Sequence, residues 1–448
     1  MGKITDNKYI RRVLKSEFIK SVFSIGSGNL IAQLISLVTV PILTRVYSNE
    51  AYGTYGVIAS TVAIIVSFAT LGLSSAIMAP KDDAESKKVL LTGICLQGVI
   101  TVIIGVGACI VHPWYSLFTV EGSYYLAIAI MCIYVVVINM NSFLRVYVNR
   151  IGMNKILLVN PIIGSLCNFL IAIPLGLIGV GYVGFFIALI IGNAIMNVQM
   201  IVKSKPFEKT FRPSDIFRVI KEYKDFIIYQ CPANLLSNAG TQWPVQYMSK
   251  LYDNAQMSYY TLACSVLQYP IRLIAAPIGT VYFRTASRYN REGRDLAGFT
   301  FKFTIGAMLL ALLPMVIFVF WGGRICAFLL GDKWFETGKV AGIIILQYVL
   351  LFCTQCISYC RVSLGKQKAN LMFGLISLLF TVVASFVGYK VFGSFLGTVI
   401  ACTFARCVIN VFDMALNFYY LKKYLKQYLL FSIPYLVGVF ALIVINTI

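Results

Sequence analysis

The sequence predicts an all-α polytopic membrane protein, in which two six-helix lobes surround a central cavity. Three observations lead to this prediction: an apolar composition, long uninterrupted apolar runs, and an internal repeat. Hydrophobic residues fill 59% of the 448 positions and charged residues only 12%, and the mean hydropathy is +0.81. Soluble domains carry about twice that share of charge, so a water-soluble fold is excluded.

The apolar runs are long enough to cross a bilayer as helices. A transmembrane helix needs about 20 predominantly apolar residues, whereas the strands of a membrane β-barrel read as alternating segments of about ten. We therefore predict 12 to 13 transmembrane helices, with spans at roughly 22–44, 52–78, 89–111, 124–148, 156–177, 180–202, 225–249, 256–283, 299–320, 340–361, 369–391, 394–420 and 428–446.

A segment in and after the first run recurs at a constant offset of 205 residues (234 − 29 = 205). Arg45 in the first copy corresponds to Lys250 in the second. Such repeats decide the architecture of a chain. Six identical pairs define the offset: Asn29 and Asn234, Leu30 and Leu235, Val40 and Val245, Tyr47 and Tyr252, Asn49 and Asn254, Tyr55 and Tyr260.

The position of the two copies predicts how the halves are related. The first copy begins in helix 1 and the second in helix 7, so both enter the membrane in the same direction. Parallel repeats are related by an axis along the membrane normal, and the transported molecule binds between them. The predicted organisation is an N-terminal lobe (1–204), a basic cytoplasmic linker (205–224), a C-terminal lobe (225–427) and an accessory C-terminal helix (428–448).

The formal net charge of +21 is distributed by side of the membrane. With a cytoplasmic N-terminus, 30 of the 38 Lys and Arg residues fall in predicted cytoplasmic segments, six on the outer side and two within helices. This asymmetry is typical of the positive-inside rule. The basic segments lack interleaved aromatic residues, so nucleic acid is not an expected partner.

Motifs for enzymes and metal sites are absent from the sequence. There is no Walker A motif, nucleophile elbow or pair of carboxylates placed for catalysis. The C-x-x-C formed by Cys353 and Cys356 has no second pair or nearby histidine to complete a metal site. We therefore expect a transporter without a metal or other cofactor, apart from proton or sodium coupling.

Helix 7 carries the clearest candidate binding surface. Gln230, Asn234, Asn238 and Gln242 recur every four residues and so share one helical face. In a bilayer, amides face the bundle or a wet cavity, which leaves cavity lining and interhelical hydrogen bonding as alternatives. Helix 1 has a thinner set of polar residues, including Asn29 and Gln33, for which both alternatives are equally open.

Charged residues within the predicted helices add further candidates. Arg272 lies near the middle of helix 8, and an intramembrane arginine is by default a functional hypothesis. Arg406 and Asp413 share a face of helix 12, where a local ion pair is as reasonable as a binding role. Arg45 and Lys250 lie at the outer ends of helices 1 and 7, where they either bind a ligand or snorkel.

These charges predict an anionic ligand. The interior charges are mostly cationic, which suits a phosphate ester or an acidic glycan and disfavours a lipophilic cation. Asp413 is the sole candidate that we assign to ion coupling.

Four stretches resemble the polysaccharide flippases of the multidrug, oligosaccharidyl-lipid and polysaccharide exporter superfamily. They are SGNLIAQLISLVTVPILTRVYSNEAYGTYGV, LGLSSAI, YYTLACSVLQYPIRLIAAPIGTVYF and LLGDKWFETG. The resemblance implies two lobes of helices that move undecaprenyl-pyrophosphate-linked oligosaccharide across the bacterial inner membrane by alternating access. It also implies partners in glycan assembly, such as a polysaccharide polymerase and glycosyltransferases. The cationic lining of the family carries over to Arg272, and less directly to Arg45, Lys250 and Arg406.

Two other functions are weighed against the flippase. A cation-coupled multidrug exporter of the same superfamily would need acidic residues inside the membrane, for which Asp413 is the candidate. A non-transporting scaffold for glycan assembly enzymes would leave the polar face of helix 7 and Arg272 without a purpose. The glycan carried, whether O-antigen, capsule or another polymer, is left open by the sequence.

Overall fold

The structure is a computed structural model that describes residues 17–114, 116–118, 122–207, 211–292, 294–357, 360 and 369–447. Within these ranges, some side chains lie outside the description, including those of residues 17–26 and of Arg272. Thirteen long helices occupy the described residues: α1 Glu17–Val46, α2 Asn49–Ala69, α3 Asp83–Val111, α4 Tyr124–Arg150, α5 Asn154–Leu177, α6 Tyr182–Ser204, α7 Cys231–Met248, α8 Asn254–Arg291, α9 Leu296–Leu330, α10 Phe335–Ile357, α11 Ala369–Phe392, α12 Phe395–Leu421 and α13 Leu425–Thr447.

The all-α membrane fold is confirmed. Eleven of the helices in the described part of the chain are long and apolar enough to cross a membrane. The other two are α7 and α8. The polar residues spaced along α7 lower its hydropathy, and both helices line the central cavity described below.

Every predicted span corresponds to one helix, but α2 ends earlier than predicted. The prediction continued to residue 78, whereas α2 ends at Ala69, and a separate short helix covers Leu73–Ala76. Between them, Leu71 and Gly72 have φ values of 49° and 71°. This left-handed backbone cannot continue an α-helix, so the LGLSSAI segment turns back instead of extending α2.

The structure repeats in the order that the sequence predicts. Tyr47 donates a hydrogen bond to the Ala172 carbonyl oxygen of α5 at 2.7 Å and stacks on Phe185 of α6. Its counterpart Tyr252 is hydrogen-bonded to Thr398 of α12 at 2.8 Å, with Tyr389 of α11 at its edge. Each tyrosine thus packs against the fifth and sixth helices of its own lobe.

The helix starts after these tyrosines also match. The Ser48 hydroxyl accepts a hydrogen bond from the Ala51 N–H, and α2 begins at Asn49. In the second copy the Asp253 carboxylate accepts from the Gln256 N–H, and α8 begins at Asn254. Both side chains are preferred N-cap residues, which explains why the repeated tyrosine and asparagine bracket a helix boundary.

Corresponding helices pack together in the two lobes. The pairs α1–α5, α3–α4 and α4–α6 recur as α7–α11, α9–α10 and α10–α12. Helix α13 packs on α9, α10 and α12, outside the six-plus-six arrangement. The residue boundaries of the lobes remain a prediction.

The segment predicted as a basic linker contains a helix of its own, Pro213–Glu222, which we call the linker helix. Pro213 occupies its first turn, and the Arg212 N–H donates to the Asp215 carboxylate at 3.0 Å. Val219 is fully buried against the N-terminal lobe. The linker helix is amphipathic, so its apolar side packs on the bundle while its basic side stays exposed.

Two ends of the bundle can now be named. The linker helix contacts the start of α3 at the linker end, where Lys88 pairs with Asp215 at 3.3 Å and Arg218 with Glu85 at 2.9 Å. The turn Asp332–Trp334 between α9 and α10 lies at the opposite end, which we call the Trp334 end.

Candidate functional site

A central cavity of about 540 Å³ lies between the two lobes. Helices α1, α2, α5 and α6 line it from the N-terminal lobe, and α7, α8, α10 and α12 from the C-terminal lobe. Its polar lining residues are Ser36, Thr39, Ser60, Asn168, Asn238, Thr241, Gln242, Thr261, Ser265, Gln268, Gln347, Arg406 and Asn410. The cavity is therefore lined by hydrogen-bonding groups inside an apolar bundle.

The polar face of α7 provides one wall of this cavity. Asn238 and Gln242 line it. Asn234 and Gln230 continue the same face toward the linker end, where the Gln230 amide donates to the Asn234 carbonyl oxygen at 3.0 Å. Gln230 lies in a short π-helical turn, Phe226–Gln230, that enters α7. The four residues therefore form a polar track, but only the half nearer the Trp334 end, Asn238 and Gln242, lines the cavity.

Arg406 is the one charged residue among the described lining residues. Its guanidinium donates to the Gly240 carbonyl oxygen at 3.4 Å and to the Thr241 hydroxyl at 3.5 Å, both on α7. These bonds are long, and both acceptors are neutral. Asn410, one turn along α12, also lines the cavity and donates to the Gln347 carbonyl oxygen at 3.3 Å. The C-terminal lobe thus presents a guanidinium and several amides to the cavity.

Tyrosine rings form much of the remaining wall. Tyr55 is stacked on Phe185 with ring centroids 4.7 Å apart. Aromatic faces of this kind pack well against sugar rings. Five tyrosines line the cavity: Tyr52, Tyr55, Tyr260, Tyr269 and Tyr348.

Aromatic and polar contacts of Trp334 and Lys333 close the cavity at the Trp334 end, and we call these contacts the seal. The fully buried Trp334 indole donates to the Thr44 carbonyl oxygen at 2.8 Å and meets Tyr52 and Tyr259 edge-on. The neighbouring Lys333 ammonium donates to the Tyr47 carbonyl oxygen at 2.6 Å. These contacts join the turn between α9 and α10 to the N-terminal lobe.

Helices α2 and α8 approach closely at the same end. A β-carbon built on Gly53 would lie 1.7 Å from the Asn254 carbonyl oxygen, and one on Gly56 would lie 2.5 Å from the Thr261 hydroxyl. Only glycine allows this separation of the two backbones. The starts of α2 and α8, which correspond to each other in the repeat, therefore help to close this end of the cavity.

The remaining candidates from helix 1 lie outside the cavity lining. Asn29 accepts a hydrogen bond from the Arg145 guanidinium at 3.1 Å. Gln33 is half-buried, and its carbonyl oxygen is buried with no hydrogen-bond partner among the described atoms. In this conformation, helix 1 contributes Ser36 and Thr39 to the cavity instead.

The charged candidates are separated from one another. Arg45 is exposed near Gly331, and the Lys250 ammonium donates to the Ser116 carbonyl oxygen, so both lie at the Trp334 end. Asp413 is 5% exposed and does not line the cavity. The backbone of Arg272 lies within α8, and its side chain is outside the described residues.

Several lining residues were not among the sequence candidates. Gln268 precedes Arg272 by four residues and follows Thr261 by seven, so a search for helical spacing in α8 finds it. Gln347 could have been found as an isolated amide in the middle of an apolar run. Asn168, which lines the cavity, and Trp334, which lies beside it, have no such pattern, because each depends on which helix lies opposite.

A family model supplies the decisive comparison. The model for a polysaccharide biosynthesis protein matches residues 42–339, which is more than half of the chain. The chain belongs to the polysaccharide biosynthesis protein family. No curated protein matches its sequence.

Solved structures of transporters share the fold of this family member. The lipid II flippase MurJ in an inward closed conformation is 14% identical with a TM-score of 0.68, over 96% of this chain and 97% of that one. An inward-facing multidrug resistance MATE family transporter is 14% identical with a TM-score of 0.60, over 91% and 99%. A transporter from Pyrococcus furiosus is 14% identical with a TM-score of 0.61, over 95% and 100%. The fold is thus that of the multidrug, oligosaccharidyl-lipid and polysaccharide exporter superfamily.

Proposed function

We propose that the protein is a flippase for lipid-linked oligosaccharide. It carries undecaprenyl-pyrophosphate-linked repeat units from the cytoplasmic to the outer leaflet of the bacterial inner membrane by alternating access. The observation that carries this proposal is the lining of the central cavity, which in its described part holds Arg406, many amides and hydroxyls, and no carboxylate. The match to the polysaccharide biosynthesis family supports the substrate class.

The lining suits the parts of such a substrate. A guanidinium pairs with a pyrophosphate through charge-assisted hydrogen bonds, and the long contacts that Arg406 makes to neutral acceptors are readily exchanged for them. Sugar hydroxyls find partners in Asn238, Gln242 and Gln268, and sugar rings find faces in the lining tyrosines. We further propose that Arg272 lies on the path of the pyrophosphate.

The distribution of charge indicates which end of the bundle faces the cytoplasm. We assign the linker end to the cytoplasm, because it carries the basic linker helix and most of the basic residues. In the described conformation the seal at the Trp334 end is then the outer seal. Export requires these contacts to break while the linker end closes.

The polyprenyl tail remains in the lipid while the head group crosses. Among the described residues, α2 and α7 are in contact over a greater length than the repeat-related pair, α8 and α1. The seam between α1 and α8 is therefore the more open of the two, and we propose that it admits the lipid-linked head group. The driving force is a proton or sodium gradient, with Asp413 as the proposed coupling residue.

Deletion of the gene tests the proposal. The deletion strain is expected to accumulate undecaprenyl-pyrophosphate-linked oligosaccharide on the cytoplasmic face of the membrane, measured by protection of the glycan from added glycosidase in intact spheroplasts. A strain that expresses the restored gene is the control. Glycan that reaches the outer face unchanged in the deletion strain would overturn the proposal, and drug sensitivity without glycan accumulation would indicate a multidrug exporter.

A further inference from the structure

A second cavity lies on the C-terminal lobe, away from the central one. It has a volume of about 610 Å³ and is formed by α9, α10, α12 and α13 near the Trp334 end. An apolar cavity of about 250 Å³ between α9 and α13 adjoins it, and Val319 lines both. The two cavities lie on either side of Val319, and we call them together the α9–α13 groove.

Glycines bring α9 and α10 into close contact beside the groove. A β-carbon on Gly338 would lie 2.1 Å from the Gly322 carbonyl oxygen, so the two helices touch backbone to backbone. Gly323, Gly338 and Gly342 line the wide part of the groove and present no side chains to it. On α13, a β-carbon on Gly438 would meet open space. Space beside α9 is thus left for a ligand.

The two parts of the groove differ in chemistry. The part at the Trp334 end contains Arg324, which is exposed, and Lys339, whose ammonium pairs with Glu336 at 2.8 Å and lies 5.1 Å from the Phe335 ring centroid. These groups sum to one net positive charge. Trp321, half exposed beside them, is typical of a membrane interface. The adjoining part is apolar, with lining residues Leu312, Met315, Val316, Val319, Pro434, Tyr435, Gly438, Val439 and Leu442.

The length of the groove matches one leaflet of a bilayer. From Leu312 to Arg324, α9 rises about 18 Å at 1.5 Å per residue, and from Pro434 to Ile443, α13 rises about 14 Å. Half of the hydrocarbon thickness of a bilayer is about 15 Å. The apolar part therefore extends from the interface toward the bilayer centre, in the direction of an acyl chain.

We propose that the α9–α13 groove binds one anionic phospholipid from the leaflet at the Trp334 end. The phosphate pairs with Arg324 and Lys339, and one acyl chain lies along α9 and α13 past Gly438. A cationic head site joined to an apolar slot one leaflet long fits this ligand on both charge and shape. The site is separate from the central cavity and does not depend on the glycan carried.

The test measures binding of phosphatidylglycerol to the purified full-length protein in neutral detergent, by native mass spectrometry and by thermal stabilisation. Arg324→Gln removes one of the two cations of the head site, and Gly438→Leu adds a side chain in the acyl slot at a position where a β-carbon meets no other atom within 4 Å. Each is expected to raise the dissociation constant by about fivefold to tenfold, since a charged hydrogen bond or a buried chain segment is lost. Phosphatidylcholine and inorganic phosphate are expected to bind weakly.

Two variants serve as matched controls. Lys390→Gln removes an exposed cation at the end of α11, and Gly306→Leu adds a side chain at an open position on α9 outside the groove. Both are expected to bind phosphatidylglycerol like the original protein. Equal effects of Arg324→Gln and Lys390→Gln, equal binding of the two lipids, or full stabilisation by phosphate alone would each overturn the proposal.

Discussion

Arg406 and Asp413 are seven residues apart on α12, and their surroundings differ. Arg406 lines the central cavity, where two neutral acceptors on α7 hold its guanidinium. Asp413 is buried two turns further along and lies outside the lining. At the scale of single residues, the structure thus separates a charged group that lines the cavity from one that is buried in the helix packing.

Substitution of Arg406 tests the proposed anion site. Arg406→Gln is expected to lower flippase activity at least about tenfold, because a charged hydrogen bond to phosphate contributes about 1.5 to 3 kcal/mol. Arg406→Lys keeps the charge and should retain part of the activity. The measurement is transfer of fluorescent lipid-linked oligosaccharide in proteoliposomes. Wild-type activity of the Gln variant would remove Arg406 from the site.

Asp413 provides a separate prediction about energy coupling. Asp413 is 5% exposed inside the membrane, and we propose that it couples transport to ions because a buried carboxyl can take up a proton or a cation. Asp413→Asn is therefore expected to abolish the acceleration of transport by an imposed proton or sodium gradient. Asp82→Asn, at an exposed position before α3, is the control. Gradient-driven transport at the normal rate by Asp413→Asn would contradict the assignment.

At the scale of elements, the linker helix is the main addition to the sequence prediction. Arg218 of the linker helix pairs with Glu85 of α3, and Asp215 of the linker helix pairs with Lys88 of α3. The pKa of Asp215 lies below its ordinary value, chiefly through the hydrogen bond from the Arg212 N–H. Lys88 and Arg218 act in the same direction, and desolvation opposes them. The ion pairs Lys88–Asp215 and Arg218–Glu85 fasten the helix to the N-terminal lobe.

The lowered pKa of Asp215 determines how docking of the linker helix depends on pH. A carboxyl whose pKa is lowered by folding stabilises the docked state above its unfolded pKa of about 3.9 and loses that contribution as the pH falls through the folded value. Docking should not change between about pH 5 and 8. Asp215→Asn should accelerate tryptic cleavage after Lys221 at pH 7, whereas Asp225→Asn should not. Equal cleavage of both variants would show that Asp215 does not hold the helix.

At the scale of the whole molecule, the two lobes meet backbone to backbone at the Trp334 end. Gly53 permits the contact between α2 and α8, and Trp334 fills the space beside it. Alternating access requires this region to exist in two arrangements. The size of the residue at position 53 therefore affects the relative stability of the two arrangements.

Gly53→Ala is expected to shift this balance away from the sealed form. Its β-carbon would lie 1.7 Å from the Asn254 carbonyl oxygen, so α2 and α8 must separate. In a variant with Phe at the other three tryptophans, Trp334 fluorescence should become more accessible to acrylamide. Gly107→Ala, where a β-carbon meets open space, is the control. Equal quenching of both variants would show that Gly53 does not set the seal.

The sequence determined the class of fold and the order of its parts. Apolar runs set the helices, because the bilayer requires every backbone hydrogen bond to close within a helix. The repeat of Tyr47 and Asn49 at Tyr252 and Asn254 set the two lobes, because each pair marks the same packing contact and helix start. The spacing of polar residues on α7 predicted a face toward polar space, and the structure places Asn238 and Gln242, but not Gln230 and Asn234, in the cavity lining.

Only the tertiary structure decided which polar residues meet. Asn29 and Gln33 have the spacing of lining residues, yet Asn29 contacts Arg145, and Ser36 and Thr39 reach the cavity. Trp334 and Asn168 carry no periodic signal, because their positions depend on helices far away in the chain. Periodicity fixes the face on which a side chain lies, whereas the packing of the lobes fixes what that face meets.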